Sequence, residues 1–179
     1  MKDLLPHAEK IGALLKQRRE TIAIAESSAG GLIAASLLSV PGASAYFIGG
    51  AVFYTRKSMQ ELVGLTEESF KGMRGLTEAT ALILARGVRD RLSATWGIAE
   101  IGAAGPTGSR YGDAAGTTAI AVVGSSERAT VIRTGSADRV ANMRAFADGA
   151  LQLLEESLKW TTGDARGRSR VRARRAAWA

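Results

Sequence analysis

The order of elements in this 179-residue chain predicts an α/β protein, a three-layer α/β/α sandwich with a mostly parallel sheet and one antiparallel strand. Three observations carry that prediction. Short apolar runs of strand length alternate with segments of helical periodicity as far as about residue 101. Two apolar runs, 117–123 and 129–134, then follow one another with only a polar turn between them, the pattern of a hairpin. Two strand ends lead directly into glycine-rich segments, and in open sheets of this kind ligands bind beyond the carboxyl ends of the strands.

Each element has its own reason. Leu4, Ala8, Ile11 and Leu15 recur at spacings of four and three, placing one apolar stripe on a helix that ends near Arg18-Arg19. Thr21-Ile22-Ala23-Ile24-Ala25 is the first strand, and a helix from about Gly31 to Ser39 follows. Val40-Pro41-Gly42-Ala43-Ser44 is a turn, because proline fixes φ and glycine permits a reversal. Tyr46 to Tyr54 is the second strand, and its paired Gly49 and Gly50 mark a bulge or the close approach of another backbone or a ligand. A short helix from Thr55 to Val63 stops at Gly64. Thr66 and Thr77 are placed to cap the next two helices, the second carrying Ala79, Ile83, Leu84, Val88 and Leu92. Trp96-Gly97-Ile98-Ala99-Glu100-Ile101 is a strand opening onto the segment Gly102 to Asp113. After the hairpin, Ser136 is the expected cap of a long helix through Val140, Met143, Phe146, Ala150, Leu154 and Leu158.

Composition bounds the function. The apolar share of 46% and charged share of 23% are those of a folded protein, and the length suits one domain, expected over 1–162. The absence of an apolar run long enough to span a bilayer, and of an apolar core at the N-terminus, predicts a cytoplasmic protein with no membrane partner. With no cysteine, disulfides, thiolate metal sites and a cysteine nucleophile are excluded. The net charge of +7 resembles a nucleic-acid signal until it is divided along the chain. Residues 163–179 hold six arginines against one aspartate, so +5 sits there and +2 on everything before it. That segment reads as a mobile tail: a solvated terminus, or one that touches polyanions weakly, with no specific nucleic acid implied.

Chemistry concentrates at the strand ends. His7 is the sole histidine, which leaves no Ser-His-Asp triad unless it is recruited from the first helix, and no cluster has metal-ligand spacing, so neither a metal nor a cofactor is expected. The glycines at 102, 105 and 108 match neither the dinucleotide fingerprint nor the Walker pattern, although free N–H groups at a helix start or in a nest bind anions without a named motif. Ser27 lies on the strand-to-helix turn, where a sharp bend exposes a hydroxyl; its two readings are nucleophile and helix-capping serine. A serine nucleophile without histidine needs a desolvated lysine, and Lys57, just after the strand ending in Tyr54, is the nearest. Tyr54 relays a proton or holds that lysine, or else packs.

These residues also carry a resemblance. Ala25-Glu26-Ser27-Ser28-Ala29-Gly30-Gly31 resembles the A-E-S-C/S-T-G-G signature of the competence-damage-inducible CinA C-terminal domain, whose active members are nicotinamide mononucleotide amidases. Val40 to Phe47 resembles V-P-G-S-S-A-Y-F, and Gly49 to Tyr54 resembles G-G-V-V-x-Y. Leu76-Thr77-Glu78 is similar to V-S-E, Gly102-Ala103-Ala104-Gly105-Pro106 to G-I-A-G-P, and Gly116-Thr117 to a later G-T, so the match runs colinearly over about residues 5–158. The resemblance implies a serine amidohydrolase that needs no metal, with Ser27 as nucleophile and a Tyr54-Lys57 pair managing protons. It implies an oxyanion held by N–H groups of the two glycine-rich loops. Around a pyridine nucleotide it places Glu26, Ser28, Gly30, Gly31, Gly49, Gly50, Thr77, Gly102, Gly105, Pro106, Thr107, Gly108 and Arg110. A homodimer is a further expectation from the family, and the family's separate pyrophosphatase-associated N-terminal domain is expected to be absent.

The chain departs from the pattern in two places. The family's lysine stands five residues after its tyrosine, where this chain has Met59; Lys57 is two residues earlier, which on a helix turns a side chain by about 200°. Arg56 is too basic to substitute. Where relatives carry a Glu-Lys-Pro stretch, this chain has Thr107 to Ala115, in which Arg110 and Tyr111 suit a different ligand. Two functions therefore stand side by side: an amidohydrolase acting on nicotinamide mononucleotide or a related amide, and a module that binds a nucleotide or other small anion in the same pocket without turnover.

Overall fold

The computed structural model describes residues 2–73 and 75–176, with side chains as far as 160. Helix α1 (Leu5–Arg18) leads to β1 (Ile22–Glu26), α2 (Leu32–Leu38) and β2 (Phe47–Val52). A single turn, α3 (Arg56–Ser58), continues as π-helical Met59–Val63, and a 3-10 turn follows at Glu67–Phe70. Then come α4 (Glu78–Arg91), β3 (Trp96–Ala103), the hairpin β4 (Thr117–Val123) and β5 (Glu127–Arg133), and α5 (Arg139–Ala176). The arginine-rich tail expected over 163–179 lies outside the residues whose side chains are described.

The three-layer α/β/α class holds, but the sheet is mixed rather than mostly parallel. Its order is β2-β1-β3-β4-β5; β1 pairs in parallel with β2 and β3, whereas β3–β4 and β4–β5 are antiparallel. The single reversed strand, β4, sits inside the sheet and not at its edge, so it makes two antiparallel ladders. Both readings of the paired glycines in β2 have a counterpart: the register passes from Ile22↔Phe47 to Ala23↔Gly49 and leaves Ile48 unmatched, a bulge, and a Cβ on Gly50 would stand 3.2 Å from the Ile24 carbonyl oxygen.

The two faces of the sheet differ in bulk, and that difference sets the layers. Side chains alternate along a strand, so Ile22, Ile24, Trp96, Ile98, Ile120 and Val122 face one way, into a core shared with Ile11 and Leu15 of α1, Ile33 and Leu37 of α2, and Phe146 and Leu154 of α5. Ala23, Ala25, Ala99, Ala119 and Ala121 face the other way, against α4. Small residues let α4 approach closely: a Cβ on Gly97 would stand 2.1 Å from the Ala85 carbonyl oxygen. The buried face of α4 is accordingly Ala81, Leu84, Ala85 and Val88, whereas Ala79 is exposed and Leu92 is 37% exposed. The sequence reading favoured larger side chains, but a flat alanine surface selects small partners.

Caps fix the element boundaries. Thr77 accepts the Thr80 N–H at 3.2 Å and starts α4, with Glu78 in the first turn and Arg89 and Arg91 in the last, as the helix dipole favours. Gly64, at φ 79°, ends the π-helical turn. At α5 the cap differs from expectation: Asp138, not Ser136, accepts the Ala141 N–H at 3.0 Å, while the Ser136 hydroxyl accepts the Asp138 N–H and shapes the preceding turn.

Candidate functional site

The turn between β1 and α2 is organised by two carboxylates at matching register positions of β1 and β3, Glu26 and Glu100, both fully buried. One Glu100 oxygen accepts the Ser27 N–H at 3.1 Å and the Ala29 N–H at 2.9 Å; the other accepts the hydroxyls of Ser28 and, at 2.8 Å, Thr118. Glu26 accepts the Ile33 and Ala34 N–H groups at 3.1 and 3.0 Å and so closes the start of α2. Burial pushes the Glu26 carboxyl above the ordinary carboxylate range and the neighbouring Glu100 adds to this, against the opposing N–H groups of Ala34, Ile33 and Gly31. The N–H groups that a glycine-rich turn would offer to an outside anion are thus largely engaged by the chain's own acids. Gly102 makes this possible, since a Cβ there would lie 2.5 Å from the Ser28 hydroxyl.

Ser27 is left differently. Helix α2 begins at Leu32 with Gly31 as its cap, so Ser27 is not the capping serine. Among the described residues its hydroxyl has no hydrogen-bond partner, and it lines a cavity of about 640 Å³ on the α4 side of the sheet. Phe53, Ile101, Leu76 and Thr80 form inner walls of that cavity. Tyr54, Arg56, Glu67, Arg110 and Tyr111 stand around its rim, with Met59 also in the lining. The Tyr54 hydroxyl accepts from Arg139 at 2.9 Å, and the same guanidinium donates to the Gly105 carbonyl at 2.8 Å, tying the two glycine-bearing regions together. Arg56 donates to the Tyr111 hydroxyl at 3.1 Å and pairs with Glu67. The hydrogen bond from Arg56, with the nearby charge of Arg110, holds the Tyr111 phenol below its ordinary range.

Of the residues expected at the site, Ser27, Tyr54 and Arg110 line the cavity and the others do not. Lys57 is exposed on α3, outside the lining, and among the described residues no hydrogen bond joins it to Ser27; Met59 faces the cavity, as the helical rotation requires. Glu26 and Ser28 lie behind the turn, bonded inward. Gly30 abuts Met143, Gly31 caps α2, and Thr77 is exposed as the α4 cap. Gly49 and Gly50 pair with Ala23 and Ile24 inside the sheet. Gly105 packs on Ala137, ahead of Pro106 and the exposed Thr107, and Gly108 packs on Asp113, whose carboxylate also holds Ser109 at 2.6 Å and the Leu76 N–H at 3.3 Å.

Sequence reasoning missed Glu100, Arg139 and Asn142. Glu100 had a signal, a charge in an otherwise apolar strand; Asn142, buried and donating to the Ala104 and Ser136 carbonyls at 2.8 and 2.9 Å, had none. No group of three or more His, Cys, Asp or Glu side chains suited to a metal ion occurs among the described residues, and no helix there is long and apolar enough to cross a membrane.

Comparison with known proteins follows the same lines. The sequence pattern described as the CinA C-terminal domain matches residues 5–158. A CinA-like protein of Salinibacter ruber is 35% identical over 148 residues, covering 83% of this chain and 36% of that protein. Another, of Desulforapulum autotrophicum, is 37% identical over 152 residues, covering 84% and 36%. The chain therefore spans little more than a third of the length of these relatives. Among solved structures, the competence/damage inducible protein CihA of Agrobacterium tumefaciens superposes with a TM-score of 0.79 at 28% identity, covering 88% of this chain and 96% of that one. A CinA superfamily protein of Klebsiella pneumoniae, at 24% identity and TM-score 0.80, shares the fold.

Proposed function

This chain belongs to the CinA C-terminal domain family, and from that premise we propose that it is an amidohydrolase deamidating nicotinamide mononucleotide or a related amide to the acid and ammonia. The observation that carries this reading is the unengaged Ser27 hydroxyl in the cavity wall, on a turn that Glu100 holds rigid. In the proposed reaction the Ser27 oxygen attacks the carboxamide carbon as its proton leaves to a base. The C–N bond then breaks as the nitrogen is protonated and departs as ammonia, and water releases the acid from the acyl-serine. The Ser28 N–H, which has no partner among the described residues, is the turn's remaining donor for the oxyanion, in the position next to the nucleophile that such turns use. Tyr54, oriented by Arg139, is the member of the Tyr-Lys pair at the cavity and takes the proton-transfer role in this reading. The rim arginines suit the phosphate of a nucleotide.

Met59 supports a second reading. A thioether neither accepts nor returns a proton, so in this reading the pocket, with Met59 in its lining, retains binding and loses turnover. Purified protein incubated with nicotinamide mononucleotide separates the two. The expected result is release of ammonia that Ser27→Ala abolishes; saturable binding with no release at high protein concentration sinks the amidase and leaves the binding module.

A further inference from the structure

The rim carries an arrangement that packing does not require. Arg56 on α3, Glu67 on the 3-10 turn, and Arg110 and Tyr111 on the loop after β3 come from three separate segments, yet all line the same cavity. The Arg56 guanidinium is divided between the Glu67 carboxylate and the Tyr111 hydroxyl. Arg110 lies over the Tyr111 ring, 5.2 Å from its centre, and among the described residues no carboxylate pairs with it. Two positive charges thus face one negative charge.

We propose that Arg56, Arg110 and Tyr111 form an anion subsite that selects ligands bearing a phosphate monoester, with Glu67 occupying Arg56 until such a ligand displaces it. The proposal rests on the reading of the cavity as a nucleotide site and names what decides its specificity. A guanidinium presents a fork of donors that fits two phosphate oxygens as well as it fits a carboxylate. Glu67 therefore marks where an anionic oxygen is received. Arg56 and Glu67 are 54% and 74% exposed, and an ion pair so open to water is weak, so exchanging the carboxylate for a doubly charged phosphate is favourable. The alternative position for a phosphate, the start of α2, is already filled by Glu26. Tyr111 adds a hydroxyl and keeps Arg56 and Arg110 side by side.

Calorimetric titration of the intact protein with nicotinamide mononucleotide, nicotinamide riboside and inorganic phosphate tests this. The mononucleotide is expected to bind at least about tenfold more tightly than the riboside. Arg56→Ala or Arg110→Ala should remove most of that ratio without changing riboside affinity, and Arg56→Lys should keep part of it. Glu67→Gln should tighten both phosphate and mononucleotide severalfold. Equal affinities in the unaltered protein, a ratio that survives both alanine replacements, or no binding of any of the three ligands overturns the subsite. A ratio that persists where no ammonia is released sinks the amidase alone; ammonia release with no ratio sinks the subsite alone.

Discussion

Behind Ser27, four donors from the β1–α2 turn and β4 converge on one buried carboxylate of β3, and the hydrogen bonds join the turn to strands already fixed by the core. At the rim, Arg56, Glu67, Arg110 and Tyr111 meet in water on a short turn, a 3-10 turn and a loop. Breaking a contact behind the turn strands a buried polar group, whereas breaking one at the rim only exchanges a partner for water. The turn therefore keeps the serine in place across changes that the rim absorbs, and the rim is where this chain departs from the pattern it resembles.

The comparison breaks most easily at Glu100. Glu100→Ala leaves the Ala29 N–H and the Ser28 hydroxyl without an acceptor, reduces the Ser27 N–H and the Thr118 hydroxyl to the main-chain carbonyls of residue 100 and Ile101, and should destabilise the fold by about 3–5 kcal/mol in denaturant unfolding. A loss under about 1 kcal/mol would mean that water replaces the carboxylate and the turn is not held as described. Met59→Lys sharpens the other side by adding a base to the cavity lining; ammonia release should rise roughly 10- to 100-fold, and an unchanged rate would favour the module that only binds.

The smallest effect is in pH. Because the folded chain holds the Glu26 carboxyl above its ordinary value of 4.5, the native state takes up that proton more readily than the unfolded chain. The stabilisation from Glu26 is fully present below that value and is lost as pH rises through the raised one. Glu26→Gln does not titrate, so its stability relative to the unaltered protein should increase as pH rises through the window. Glu155 slopes the other way: burial pushes it up, but Lys159 and His7 outweigh this and hold it low. It is common to both proteins and cancels in the comparison. Denaturation midpoints measured on either side of that window check the slope, and a constant difference would mean that the raised value is not what governs Glu26.

Much of the fold was legible because local chemistry chose it. The Thr77 cap, the Gly64 stop and the Tyr46–Tyr54 strand follow from side-chain oxygens, positive φ and alternation. Ser27 was legible as a residue on a strand-to-helix turn, but its two readings were separated only when Gly31 proved to be the cap of α2. The buried face of α4 was misjudged because apolar bulk in the sequence does not reveal that the opposing sheet surface is alanine. Arg139 was invisible since its partner Tyr54 is 85 residues away.

By itself, the sequence determined the elements, their order and the crowding of polar residues at two strand ends, because hydrophobic period, caps and turn residues act over a few positions. Only the tertiary structure decided that β4 lies inside the sheet and that Glu100 stands beside Glu26. It also decided that Met59, not Lys57, faces Ser27's cavity. Those facts depend on which strands pair and which face of a short helix turns inward, and pairing is set by burial summed over the whole sheet rather than by any one segment.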